Sequence, residues 1–189
     1  QAWIHFSPCV GSYVGGDITA GILCTDLTAP TEDISLFIDI GTNGEIVLGN
    51  SSFLMTCACS AGPAFEGGGI ECGMRASTGA IEKVSIDPAT GLARYSTIGN
   101  TRPRGICGSG MIDLVARLFL TGWIDVAGKF NRVRPCPAIR VDGRRATYTL
   151  APTEDSATGK PLLITETDIE NIIRTKASIY AAVALMLKQ

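Results

Sequence analysis

The residues with most chemistry to offer lie in one short stretch. Leu36-Phe37-Ile38-Asp39-Ile40 runs into Gly41-Thr42-Asn43-Gly44, and Glu45-Ile46-Val47-Leu48 leaves it. Asn-Gly between two strand-like runs is a strong hairpin signal, because both residues tolerate positive φ. Asp39 comes late in the first run, which reads as a buried strand. An unpaired carboxylate there would cost several kcal/mol, so Asp39 must face a cation, donors or water at the strand end. Gly41 and Gly44 leave room for backbone N–H groups to approach an anion. A carboxylate, a hydroxyl and amides at one turn suit a metal-bound phosphate. A hairpin in which Asp39 and Thr42 merely satisfy the turn explains the same residues, and the turn alone leaves both readings open.

Two further stretches carry weaker signals. Gly105-Ile106-Cys107-Gly108-Ser109-Gly110 opens an apolar helix, Met111 to Thr121, with Ser109 as its expected N-cap and Gly122 as its stop. A glycine-rich loop at a helix N-terminus can hold an anion. Its spacing is neither a Walker loop nor Gly-x-Gly-x-x-Gly, and tight strand–helix packing explains Gly105, Gly108 and Gly110 equally well. In Ser60–Met74, Pro63 suits the first position of a helical turn, and the glycines permit close approach by a ligand or partner. Glu45 and Glu66 are the carboxylates of a candidate partner or site loop. Glu71 is a further candidate carboxylate, and for both Glu66 and Glu71 a solvated role is the leading reading.

Composition sets bounds on these readings. The chain has 189 residues, 46% hydrophobic and 18% charged, enough for one sizeable domain or two small lobes. A net charge of −2, without basic runs interleaved with aromatics, argues against nucleic acid as a partner. No apolar run is long enough to span a membrane and no signal peptide is visible. Seven cysteines, an odd number set mostly among small apolar residues, are not a secreted disulfide framework and point to a reducing cytoplasm. Cys57, Cys59, Cys72 and Cys107 lack Cys-x-x-Cys spacing, and His5 has no second histidine nearby, so a metal or cluster role ranks last. The chain begins on Gln1 and stops within a helical pattern, which reads as part of a longer protein.

The positioning elements follow from local signals. Trp3–Pro8 reads as strand then loop, and Asp17–Leu23 as a short helix whose Ala20 and Gly21 admit a close neighbour. Three strands in meander follow: the two flanking the Asp39 turn, then Phe53–Cys59. Ala80–Ile98 is a hairpin around Asp87-Pro88-Ala89-Thr90-Gly91, and a second turn lies at Asp142-Gly143. Arg140, Arg144 and Arg145 read as a solvated face. After the Leu162–Ile164 strand, Thr167-Asp168-Ile169-Glu170 has the form of a capping box. The helix it would start carries Ile169, Ile172, Ile173, Tyr180, Val183 and Leu187 at helical spacing.

Taken jointly, several motifs resemble one family. They are Phe37–Val47, Gly62-Pro63-Ala64-Phe65-Glu66-Gly67, Cys72-Gly73-Met74-Arg75-Ala76 and Gly105–Gly110, with Cys9–Asp17 upstream. Ser156–Lys160, Asp168-Ile169 and Lys176–Ala181 complete them. The chain looks like the C-terminal ATPase region of the reductive activators of corrinoid proteins, within the acetate and sugar kinase, heat-shock chaperone and actin superfamily. The resemblance implies an α/β fold, a ribonuclease H-like lobe of the actin-like ATPases with a mixed sheet and flanking helices. Residues 1–35 would be the end of a preceding lobe and a crossing helix, and residues 36–189 a C-terminally incomplete ATPase lobe. Asp39 would orient Mg²⁺-bound or attacking water. Gly41, Thr42, Asn43 and Gly44 would hold phosphate oxygens of ATP. The parent protein would use ATP to return Co(II) corrinoid protein to Co(I), with a [2Fe–2S] domain outside this chain as electron donor. A corrinoid protein is the implied partner, and a homodimer is an assembly open to it.

The chain departs from that pattern in three places. It has no ferredoxin cysteine spacing; the first phosphate turn, which would lie before Gln1, and the late Gly-Gly adenosine loop, expected after the final helix, are not in this sequence. Enzymatic activity is therefore expected of the parent, as an ATP-hydrolysing redox activase, rather than of these residues by themselves. Two alternatives stand beside it. One is a sugar- or acetate-kinase-like phosphotransferase, or a radical-dehydratase activator, on the same fold. The other is a nucleotide-free docking module using the Gly62–Met74 segment.

Overall fold

The computed structural model describes residues 2–189. It is mixed α/β, with nine strands in three three-stranded sheets and three α-helices among the described residues. Contacts divide the chain into two compact units. One runs up to Ala61 and includes Lys176–Gln189; the other is Gly62–Thr175.

The first unit is built on a meander. β1 (Ser35–Ile40), β2 (Asn43–Asn50) and β3 (Phe53–Ser60) pair antiparallel in that order. Alternation gives the sheet two faces. On one face, α1 (Gly16–Ile22) sets buried Ile18 and Ile22 against Val47, Phe37 and Ala58. Gly21 gives the Phe37 ring its place, since a Cβ there would lie 3.1 Å from the ring. Ala20 is exposed, so the expected pair of small contacts reduces to this one. On the other face, Ile179 of α3 (Glu166–Met186) packs over Gly44 and Cys59.

Two expectations fail in this unit. Trp3–Pro8 forms no strand; its side chains are exposed and no sheet edge among the described residues pairs with it. β1 is an edge strand rather than a buried one, with Leu36, Ile38 and Ile40 between 37% and 45% exposed.

The second unit holds the larger core. β4 (Ala80–Ile86) pairs antiparallel with β5 (Ala93–Thr97) and parallel with β6 (Gly105–Ile106). Helix α2 (Gly108–Leu120) lays Met111, Leu114 and Leu118 on this core, each essentially buried and contributing about 2 kcal/mol. A further sheet, β7 (Ile139–Asp142), β8 (Arg145–Ala151) and β9 (Leu162–Thr165), contributes Ala146, Tyr148 and Leu150 to the same cluster. The buried Tyr148 hydroxyl donates to the Gly91 carbonyl at 2.8 Å, tying this sheet to the β4–β5 turn. Both hairpin turns and the Gly122 stop lie where the local signals put them, with Gly91, Gly122 and Gly143 all at positive φ.

The start of α3 differs from expectation by two residues. Thr165 Oγ1 accepts from the Asp168 N–H at 3.1 Å, and Asp168 Oδ2 accepts from the Thr165 N–H at 2.8 Å. The reciprocal cap is therefore Thr165–Asp168, not Thr167–Glu170. α2 likewise begins one residue before Ser109, with Cys107 at the N-cap and Ser109 inside the first turn.

Candidate functional site

The Asp39 hairpin turns earlier than its Asn-Gly pair suggests. The last register pair is Ile40 with Gly44, and β2 already begins at Asn43. Neither Asn43 nor Gly44 adopts positive φ. The Gly41 N–H donates to the Asn43 carbonyl at 2.9 Å, so this amide is used inside the turn. Gly44 is needed for another reason: a Cβ there would lie 2.8 Å from Cys59 Sγ and 3.1 Å from Ile179. Its carbonyl accepts the Cys59 thiol at 3.3 Å. Packing from β3 and α3, rather than turn conformation, demands glycine at 44.

At the tip, Asp39 and Thr42 are exposed, while Asn43 and Glu45 are half-buried. Asp39 lies directly across from Glu45 on the face that carries Phe37 and Val47. Two carboxylates opposite each other on adjacent strands repel, and a cation or a donor between them relieves that cost. Because β1 is an edge strand, Asp39 needs no buried counter-ion; solvent meets its charge. The hard oxygens of Asp39 and Thr42 and the Asn43 amide are of the donor types that Mg²⁺ held through water, with a phosphate beside it, would require. No group of three or more His, Cys, Asp or Glu side chains able to hold a metal directly occurs among the described residues.

The second unit contains the other candidates. Glu66 closes a short 3₁₀ turn, Pro63–Glu66, in which Pro63 takes the first position as anticipated. Phe65, Glu66, Arg75, Ala76, Cys107, Gly108 and Ser109 line an open recess of about 380 Å³. Glu66 and the start of α2 are thus brought together. The first-turn N–H groups of an α-helix lack helical partners, and the positive end of the helix dipole lies there.

The glycines of this loop have a packing role. A Cβ on Gly105 would approach the Cys72 carbonyl oxygen to 2.6 Å; on Gly108 and Gly110 it would fall on the carbonyl oxygens of Phe65 and Ile81. Met74 N–H donates to the Ile106 carbonyl, and Ile106 N–H to that of Cys72, both at 2.9 Å. The loop is therefore sewn to the Cys72–Met74 segment backbone to backbone.

Arg75 was not singled out from the residues as a site group, and Cys107 was weighed only as a metal or cluster ligand. Both line the recess, the Cys107 thiol buried and donating to the Ile81 carbonyl at 3.3 Å. The available signal was the run of glycines before Met74-Arg75. Asp168 was read as a cap member and as part of a family motif. It also accepts the Glu71 N–H at 3.1 Å, while Asn171 donates to the Gly69 carbonyl at 3.0 Å. The first turns of α3 thereby pin the glycine-rich segment. Burial first, then the charges of Asp168 and Glu71, push the Cys72 thiol up to about 12.

A family model described as the C-terminal domain of RACo, the ASKHA domain, matches residues 33–189. The chain belongs to this family. Its ASKHA membership agrees with the mixed α/β architecture and with a nucleotide-binding type of fold. The chain is 36% identical over 190 residues to the corrinoid activation enzyme RamQ of Eubacterium limosum, covering 97% of this chain and 31% of that protein. A reductase of Co(II) methylated amine-specific corrinoid protein from Methanosarcina barkeri is 43% identical over 74 residues, 39% of this chain and 14% of that one. Among solved structures, a reductive activator for corrinoid, iron-sulfur protein superposes with a TM-score of 0.87 at 55% identity. That match covers 96% of this chain and 29% of the activator. The ASKHA chain described here thus spans about a third of its relatives' length. Among its described residues, no helix is long and apolar enough to cross a membrane.

Proposed function

We propose that this chain is the phosphate-binding part of an ATP-dependent activator that returns Co(II) corrinoid protein to Co(I). Asp39 at the end of an edge strand, exposed beside Thr42 and Asn43, is the observation that carries the reading. Relatives named for corrinoid activation and reduction support it. Bound Mg-ATP would supply the free energy of phosphoryl transfer. Asp39 orients a water, through the metal or directly, and its charge is met by solvent until nucleotide arrives. Thr42 and Asn43 donate to phosphate oxygens from the tip; Gly41 makes the turn tight and Gly44 seats it against β3. Phosphoryl transfer needs positioning and charge stabilisation more than covalent participation, and a rigid hairpin supplies that. The recess lined by Glu66, Gly108 and Ser109, with Gly105 and Gly110 packed behind it, is the second anion-facing candidate, and Glu45 and Glu66 are the carboxylates of the candidate partner or site loop. Electrons come from a [2Fe–2S] domain elsewhere in the protein, which works in a reducing cytoplasm. Residues 1–35 end a preceding lobe in this reading, and 36–189 are the ATPase lobe.

The test uses the full-length protein that carries this chain. Mg-ATP-dependent reduction of Co(II) corrinoid protein, followed by its absorption spectrum, is expected to fall about 100-fold or more in Asp39→Asn. Unchanged ATP-dependent reduction in that variant would overturn the role of Asp39. Reduction that proceeds equally without ATP would overturn the function itself.

A further inference from the structure

The motif Lys176–Ala181 lies on α3, on the sheet face opposite α1, and two of its neighbouring side chains meet the β2–β3 ladder at its turn end. The Ser178 hydroxyl donates to the Ser60 carbonyl at 3.0 Å. Ile179, 8% exposed, bears on Gly44 beside Cys59. Its Cγ1 lies 3.1 Å from where a Gly44 Cβ would stand, and Cys59 Sγ lies 2.8 Å from the same point. The register pairs Ser60 with Asn43 and Cys59 with Gly44. These contacts, all within the first unit, thus fall on the two rungs that carry Asn43 and Gly44.

Glycine at 44 removes the cushion between helix and strand. A side chain there would hold α3 away from the backbone; without one, Ile179 meets the Gly44 main chain directly. Close-packed contacts of this kind transmit displacement rather than absorb it. The Ser178 hydrogen bond holds the same stretch of helix to the neighbouring rung. On its other side the hairpin ends in β1, an edge strand, so the backing of these rungs comes from β3 and α3. The bond from the Gly41 N–H to the Asn43 carbonyl at 2.9 Å closes the turn, and its tip follows the rungs behind it.

We infer that Ser178 and Ile179 are positioning residues for the phosphate turn, setting where Thr42 and Asn43 stand when nucleotide binds. The inference rests on the phosphate role proposed above for those two residues. Ser178 and Ile179 act through Ser60 and Gly44. A displacement of about 1 Å in groups that meet reacting atoms can cost on the order of 100-fold in rate. Truncating Ile179 therefore acts on Mg-ATP rather than on the corrinoid protein. Ordinary core packing is represented on the other sheet face by Ile22 of α1, 7% exposed, whose cluster contains the Phe37–Val47 rung rather than the rungs at the turn.

The test compares Ile179→Ala with Ile22→Ala in the full-length protein, by steady-state reduction of Co(II) corrinoid protein. The two variants remove the same atoms from similarly buried positions, so their melting temperatures are expected to fall by similar amounts. In Ile179→Ala, kcat/KM for Mg-ATP is expected to fall about tenfold or more, with KM for the corrinoid protein within about twofold of wild type. Ile22→Ala leaves both within about twofold. Ser178→Ala follows Ile179→Ala to a smaller extent, and carries the comparison if Ile179→Ala does not fold. Ser178→Thr and Ile179→Val, which keep the hydroxyl and the β-branch, stay near wild type. Equal losses toward Mg-ATP in Ile179→Ala and Ile22→Ala, or no loss in Ser178→Ala and Ile179→Ala, overturn the positioning role while leaving the function intact. Wild-type reduction that proceeds equally without ATP overturns the function, and this role with it.

Discussion

Asp168 is 3% exposed and accepts three hydrogen bonds, from the N–H groups of Glu71 and Thr165 and from the Thr165 hydroxyl. Asp168→Ala removes a helix cap and leaves a buried amide unpaired, for a loss of about 2–3 kcal/mol in denaturant unfolding. The cap was legible in sequence to within two residues. The bond to Glu71 was not, because it spans 97 positions and nothing local announces it. The same neighbourhood keeps the Cys72 thiol protonated at ordinary pH. Iodoacetamide at pH 8 is therefore expected to label exposed Cys9 and Cys24 quickly and Cys72 only after unfolding, as peptide mass spectrometry would show. Equal labelling of Cys72 in the native protein would contradict this burial. Asp39 was legible as a carboxylate at a strand end but not as exposed, since burial of a strand depends on which neighbours it acquires.

At the scale of elements, turns and helix stops could be read from the sequence and sheet partners could not. Asp87-Pro88-Ala89-Thr90-Gly91 carries its conformation in its own residues: the Asp87 carboxylate accepts from the N–H groups of Ala89 and Thr90 at 3.0 and 2.7 Å. The Thr90 bonds hold this carboxyl below its usual range, so its contribution is present above about pH 4 and fades as pH falls through the lowered value. The Asp39 hairpin was misplaced because the local preference of Asn43-Gly44 for a turn yields to packing from β3 and α3, which draws both residues into β2. Gly44→Ala accordingly costs about 1–3 kcal/mol despite its ordinary φ, through overpacking against Cys59 and Ile179. A Gly44→Ala protein of wild-type stability would return the glycine to a turn role. The distribution of nine strands over three sheets follows from non-local pairing, which strand periodicity does not encode.

Across the whole molecule, the groups with displaced titration lean one way. Burial leads in raising Cys57, Cys72, Tyr95 and Tyr148, so each is neutral in the folded chain beyond the pH at which it ionises when unfolded. Raised values contribute stability that is complete below the unfolded pKa and is lost as pH climbs past it. The melting temperature is therefore expected to decline above about pH 9 to 10, where unfolded thiols and then phenols ionise. Tyr148→Phe loses the hydrogen bond to Gly91, about 1–2 kcal/mol at neutral pH, and makes the alkaline decline shallower. A decline as steep as in the wild type would remove Tyr148 from this account. At this scale the family pattern was readable because its motifs occur together. The arginines of the β7–β8 hairpin read as a solvated face, and the register leaves them exposed at its tip.

The carbonyl oxygens that fill the space beside Gly105, Gly108 and Gly110 also limit how this loop can diverge. No side chain can enter at those positions without parting two backbones, so mutation has almost no tolerated alternatives there. Selection acting on what the recess accepts is left with its flanks, Glu66, Arg75 and Ser109, whose side chains border open space. Among chains that keep this packing, differences in ligand preference should be written in those three positions while the glycines stay silent.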